Sequence, residues 1–226
     1  SVCLAYCVYH AHSTIPKLNA RQWLTAALLG ATGIFAYNIF FLYGLQHISA
    51  GHGALVVAFN PVAVTIFSWL CLKETMSVKK ALGVIIALGG CFFVISNGSP
   101  MKLLNGGIGY GEWLILGCVV CWTLYTFIGR IAHQQGLSSL IMTFYAVCIV
   151  CTMFAVLAVY QGIITDYPHY SIRVWASIIF LGVFGTALAF TWFIGAVSQV
   201  GPTHASAFLN LVPIWAILLG VVFLGE

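Results

Sequence analysis

Two pairs of cysteines at C-x-x-C spacing, Cys118 with Cys121 and Cys148 with Cys151, are the residues of this sequence whose types and spacing point most directly to chemistry. Four thiolates so spaced can close a tetrahedral zinc site in a soluble protein. Here each pair falls inside an apolar run, where a thiolate without its metal is costly to bury and a thiol is an ordinary small filler. Seven histidines are spread along the chain. His10, His12, His47, His52 and His204 lie near the ends of apolar runs, where an imidazole more often makes interfacial hydrogen bonds than carries a proton or a ligand. No Ser, His and Asp set, phosphate-cradling glycine loop or dinucleotide fingerprint can be assembled. The chain is therefore not read as an enzyme, and neither a cofactor nor a metal is expected.

Charged residues are few and peripheral. Glu74 and Glu226 close their runs, and Glu112 and Asp166 fall at run borders, so a carboxylate proton relay at mid-depth has no candidate. No Lys or Arg lies at mid-depth either, which argues against an anionic solute, because moving its unpaired charge would be expensive. The mid-depth polar residues are neutral: Tyr37, Asn38, Asn60, Thr123, Tyr125, Thr126, Thr186, Thr191, Ser206 and Asn210. Trp122, Phe190 and Trp215 add aromatic surface. Taken singly, each reads as an interhelical hydrogen bonder or filler; taken as a set on a few runs, they read as the lining of a cavity.

The elements that must position these residues follow from composition. Hydrophobic residues make up 62% of the chain and charged residues 5%, against about 25% charged in a soluble domain, too few to build a soluble surface. Apolar runs fall near residues 1–11, 24–46, 51–72, 79–97, 108–131, 138–161, 174–198 and 203–225, and all but the first are long enough to cross a bilayer. They are too long and too uniformly apolar for the alternating pattern of a barrel, so the chain is expected to be an all-α polytopic membrane protein. Residues 98–107, within a glycine-rich stretch, are the expected linker between two halves, 1–97 and 108–226.

Those halves echo each other. Arg21, Trp23, Gly30, Gly33, Phe41, His52, Pro61 and Glu74 recur 152 positions later, without insertion, as Arg173, Trp175, Gly182, Gly185, Phe193, His204, Pro213 and Glu226. Five runs separate the two copies, an odd number, so the second copy is expected upside down in the membrane. The first and last runs read as cut, which predicts a full protein of ten helices in two inverted repeats of five, about eight of them covered here. Loops carrying Lys17, Arg21, Lys73, Lys79, Lys80 and Arg130 share one side, against Lys102 and Arg173 on the other, so the first side is expected to be cytoplasmic. The net charge of +4 is thus a matter of topology, and no nucleic-acid partner is expected. Pro61 and Pro213 fall mid-run, where each is expected to kink a helix and mark a hinge. Gly30, Gly33, Gly44, Gly83, Gly90, Gly182 and Gly185, with Ala87 and Ala189, form stripes read as close helix packing.

One stretch carries a resemblance. Ile48-Ser49-Ala50, Asn60-Pro61-Val62, Leu70-Cys71-Leu72-Lys73-Glu74, Gly83-Val84 and Gly89-Gly90 resemble the EamA repeat of the drug/metabolite transporter superfamily. A second occurrence runs from Val200 and Pro202 through Val212-Pro213 to Leu224-Gly225-Glu226. The resemblance implies alternating access around a central cavity, in a bacterial inner membrane. On that basis Tyr37, Asn38, His52, Asn60, Trp122, Tyr125, Thr186, Phe190, His204 and Asn210 are the expected cavity residues, with Pro61 and Pro213 as hinges. The expected function is movement of a small neutral or zwitterionic organic solute, an amino acid or related metabolite, in the export direction. The alternatives are efflux of lipophilic drugs and, in a different class, a membrane-embedded metal or haem protein.

Overall fold

Asn19 opens the first helix by a reciprocal cap. The Gln22 backbone N–H donates to Asn19 Oδ1 at 2.8 Å, and the Asn19 N–H donates to Gln22 Oε1 at 3.0 Å. A computed structural model of the protein describes residues 17–73, 75–96, 108–162 and 171–211. The run from residue 1 to 11, the linker, Glu74, Asp166, Pro213, Trp215 and Glu226 lie outside the described residues. From the Asn19 cap, α1 (Ala20–Gly30) passes into a π-helical segment (Ala31–Ala36) and then α2 (Tyr37–Leu45). Ser49 starts α3 (Ala50–Val57) by accepting from the His52 N–H at 3.3 Å, and α4 (Asn60–Leu72) follows after a two-residue step. Lys73, in the left-handed conformation at φ 53°, ends α4. Ser77 accepts from the Lys80 N–H at 3.3 Å and begins α5 (Val78–Ile95).

A further set of helices follows. It holds α6 (Tyr110–Gln134), α7 (Ser139–Tyr160), α8 (Ile172–Phe180), a second π segment (Leu181–Leu188), α9 (Ala189–Val200), α10 (Pro202–Ala207) and a short 3-10 turn (Phe208–Asn210). Among the described residues there is no strand, and five stretches are long and apolar enough to cross a membrane: Ala20–Leu45, His52–Leu72, Tyr110–Gln134, Ser139–Tyr160 and Ile172–Val200. The protein is an all-helical polytopic membrane protein, as the apolar runs predict.

Two features depart from the expected plain helices. Pro61 does not kink a continuous helix. The chain steps at Ala58 and Phe59 through tightened bonds, from the Phe59 N–H to Val56 O at 3.1 Å and from the Val62 N–H to Phe59 O at 3.0 Å, and Pro61 falls in the first turn of α4. There its missing N–H is not called on by the helix, and its fixed φ suits the start. The second feature is the pair of π segments, a geometry found in well under 1% of residues. Displaced by the 152-residue offset of the sequence echo, the first segment falls on residues 183–188, inside the second.

Contacts divide the chain into two compact units, residues 1–35 with 127–199 and residues 36–126 with 200–226, so each draws on both halves of the sequence echo. In the first unit, α1 lies on α7, with Trp23 edge-on to Tyr145 at 5.1 Å and Phe35 tilted on Phe154 at 4.9 Å. Its core is Ile34, Phe144, Val147, Val150 and Ala187. In the second, Val56, Ile115 and Cys118 form the core, α5 packs on α3 and α4, and α10 packs on α4.

Candidate functional site

Three of the expected cavity residues meet in the second unit. Tyr37 opens α2, and its ring stacks on Phe41 one turn on, with centroids 6.0 Å apart. Trp122, on α6, meets Tyr37 edge-on at 5.7 Å and Tyr125 at 5.4 Å. The Cys118 thiol, one turn before Trp122, donates to the Tyr37 carbonyl at 3.6 Å, tying the two helices where the rings gather. Cys118 is thus engaged with backbone in a fully buried setting.

Asn60 begins α4, directly after the Ala58–Phe59 step. It is 4% exposed, and its Oδ1 has no hydrogen-bond partner. A buried amide oxygen left unpaired costs about 1–3 kcal/mol, so its retention calls for a reason. Beside the step, a groove of about 410 Å³ runs between α4 and α6, lined by Phe59, Ala63, Phe67, Val119, Thr123 and Leu124 among others.

The other expected residues each have their own setting. His204 is exposed at the start of α10, with its Nδ1 3.2 Å from the Val200 carbonyl, and Asn210 is exposed in the 3-10 turn. Asn38 is half-buried on α2. Thr186 and Phe190 belong to the first unit: the Thr186 hydroxyl donates within its own π segment to Leu181 O at 3.3 Å, and Phe190 packs on the Ile34 core. Thr123, Thr126 and Thr191 likewise donate to the carbonyl four residues back, at 2.8, 2.9 and 2.6 Å. In an apolar medium a hydroxyl takes the nearest carbonyl, so these threonines are satisfied by their own helix even where, like Thr123, they line a groove.

His52 does something different from its echo partner. Its Nε2 lies 3.6 Å from Glu112 Oε1, with the two side chains 15% and 11% exposed. Glu112 sits in the first turn of α6, and its carboxylate folds back over Gly109 so closely that a Cβ there would meet Oε2.

Comparison with known proteins decides the family. The model of the EamA-like transporter family matches residues 2–96 and 109–226. The chain belongs to that family. It is 31% identical over 203 residues to the uncharacterized transporter YyaM of Bacillus subtilis (strain 168), covering 90% of this chain and 65% of that protein. Transporter YetK of the same organism is 22% identical over 232 residues, 100% of this chain and 68% of that protein. A protein of Streptantibioticus cattleyicolor named a probable terminal-alkyne amino-acid exporter is 26% identical over 214 residues, 94% of this chain and 69% of that protein. The chain spans about two thirds of the length of these relatives.

Two polar residues of this EamA-like chain escape a reading of the sequence. Ser68 is fully buried on α4, and its Oγ has no hydrogen-bond partner. Glu112 reads as a border acid but is 9% exposed and faces His52. The signal for that pair was present: the runs beginning near 51 and 108 are two apart, an even number, so they enter the membrane from the same face and their first turns can meet.

Proposed function

We propose that the protein is a secondary transporter for a small neutral or zwitterionic organic solute, an amino acid or related metabolite, exported by alternating access between two inverted repeats. Membership of the EamA-like transporter family supports transport as the activity. The observation that carries the solute class is the unpartnered, buried Asn60 amide oxygen at an interruption in a membrane-crossing stretch. An interrupted helix frees backbone polar groups at membrane depth, which is tolerable where protein or a solvated cavity takes them up. An amide acceptor and the aromatic group of Tyr37, Trp122 and Tyr125 suit an ammonium or other donor on an organic body. The name of the Streptantibioticus relative points the same way. The apolar groove beside Phe59 favours a second reading, efflux of lipophilic compounds.

Full-length protein in proteoliposomes, assayed with L-threonine, L-leucine, uracil, glucose 6-phosphate and ethidium, separates these readings. Saturable movement of an amino acid or uracil is expected, with Asn60→Ala and Trp122→Ala each raising the apparent KM about 10-fold, the loss of one buried polar or aromatic contact. Movement of ethidium alone would favour the lipophilic reading, and saturable glucose 6-phosphate transport would overturn both. Localisation to a bacterial inner membrane, with Lys17, Lys79, Lys80 and Arg130 on the cytoplasmic side, is part of the same proposal.

A further inference from the structure

Glu112 is the one acidic side chain among the described residues, and it is held inside the protein rather than at its surface. Ionisable groups are expensive to keep within a membrane protein and persist where they pair or carry ions. The His52–Glu112 separation is 3.6 Å, and His52 Nε2 makes no hydrogen bond. Two ionisable side chains thus face each other, both largely buried, at the entry of two membrane-crossing helices.

From this geometry we propose that His52 and Glu112 form a proton-binding site that couples solute movement to the proton gradient. The proposal rests on the transporter reading above. With His52 neutral and Glu112 ionised, one proton taken from the aqueous face binds the pair; it is released at the other face when the chain reorients, and the solute moves the opposite way. No other co-reactant is needed. Proton arrival converts a weak dipole-to-charge contact into an attraction between imidazolium and carboxylate, drawing together the first turns of α3 and α6, the two elements that carry the pair. That is the differential contact a coupling ion must make between two states.

Other titratable groups lie on the neighbouring elements, His47 among them, and titration must tell them apart from the pair. Before α3, His47 has Nδ1 2.9 Å from the Tyr43 carbonyl and lies edge-on to Tyr110 at 5.1 Å. On α2, Tyr37 is taken up in the ring cluster. On α6, the Cys118 thiol donates to the Tyr37 and Leu114 carbonyls. Packed on α3, α5 offers Cys91 and, in its first turn, Lys79 and Lys80, while α4 offers Cys71 near its end.

The test uses the full-length protein in two arms. Without any solute, pH titration of histidine-labelled protein by nitrogen NMR and of carboxyl groups by infrared difference spectroscopy should show His52 and Glu112 titrating as a pair. Glu112→Gln should then alter the His52 titration curve. Independent titration of the two groups would overturn the proposal. With L-threonine, L-leucine and uracil as probes, an imposed pH gradient should drive accumulation in wild type. Glu112→Gln should lose at least about 10-fold of that drive while exchange of labelled for unlabelled solute stays within about twofold, and Glu112→Asp should recover part of the drive. Exchange and pH drive falling together in Glu112→Gln would mark the pair as structural and sink the idea. Wild type that exchanges solute but accumulates none under an imposed pH gradient would do the same. Wild type that moves none of the probes would count against the transporter reading, and the titration would still decide the proton site.

Discussion

Gly30 and Gly182 occupy the same place in the sequence echo but not in the packing. A Cβ on Gly30 would lie 2.8 Å from the Ala146 carbonyl oxygen and 2.9 Å from Val150 Cγ2, whereas nothing lies within 4 Å of one on Gly182. Backbone cannot step aside as a flexible side chain can, so Gly30→Ala should cost about 1–3 kcal/mol by overpacking α1 against α7. Gly182→Ala should be neutral to within about 0.5 kcal/mol. Thermal unfolding of both variants in detergent checks this, and equal losses would contradict it. The contrast shows how far the glycine stripes were legible. Gly30 and Gly44 do make close approaches, Gly44 onto Ile115. Gly83 and Gly90 on α5 meet nothing among the described residues. Small residues license contact without saying which face is used, and that information sits in the partner helix. The polar set behaves similarly: Tyr37, Trp122 and Tyr125 converge, while the threonines turn back to their own backbones.

Helix positions were legible because lipid sets a length and forbids unpaired backbone, so an apolar run bounded by Asn19, Ser49, Ser77 or Ser138 can only be a capped helix. Their interruptions were not legible, since α, π and 3-10 turns draw on the same apolar residues and differ only in which carbonyl each N–H chooses. The π segments carry a consequence at this scale. Their placement at equivalent positions in Ala20–Leu45 and Ile172–Val200 marks each as one residue more than an α-helix needs, and such insertions cluster at functional sites. In the first stretch the chain passes from one packing unit to the other at Phe35–Ala36, inside the π segment. Deleting Thr32, or its echo position Phe184, should restore plain α-helix and leave the flanking helices where they are. Folding, read by the unfolding temperature, should be largely kept, and solute exchange should fall by about 10-fold or more. Exchange at the wild-type rate in both deletions would remove any working role for the segments.

Large apolar side chains stand exposed on several of the described helices. Ile86 is 74% exposed, Val156 68% and Trp192 71%, on three different helices, a distribution that fits lipid as the solvent and would drive aggregation in water. Lipid on the outside makes orientation a question of which loops stay in the cytoplasm, and there the basic residues speak only through counts. A sharper discriminator uses two histidines. His47 is exposed after α2, and His204 is exposed at the start of α10. If the second repeat is inverted and the Lys79–Lys80 side is cytoplasmic, the end of the run at 24–46 is outside and the start of the run at 203–225 is inside, although both belong to runs that echo across the same offset. In a cysteine-free background, His47→Cys should react with a membrane-impermeant maleimide added to intact cells. His204→Cys should react only after the membrane is opened. Labelling of both positions from the same side would refute the inverted arrangement, because no odd number of crossings can return the chain to the face it left.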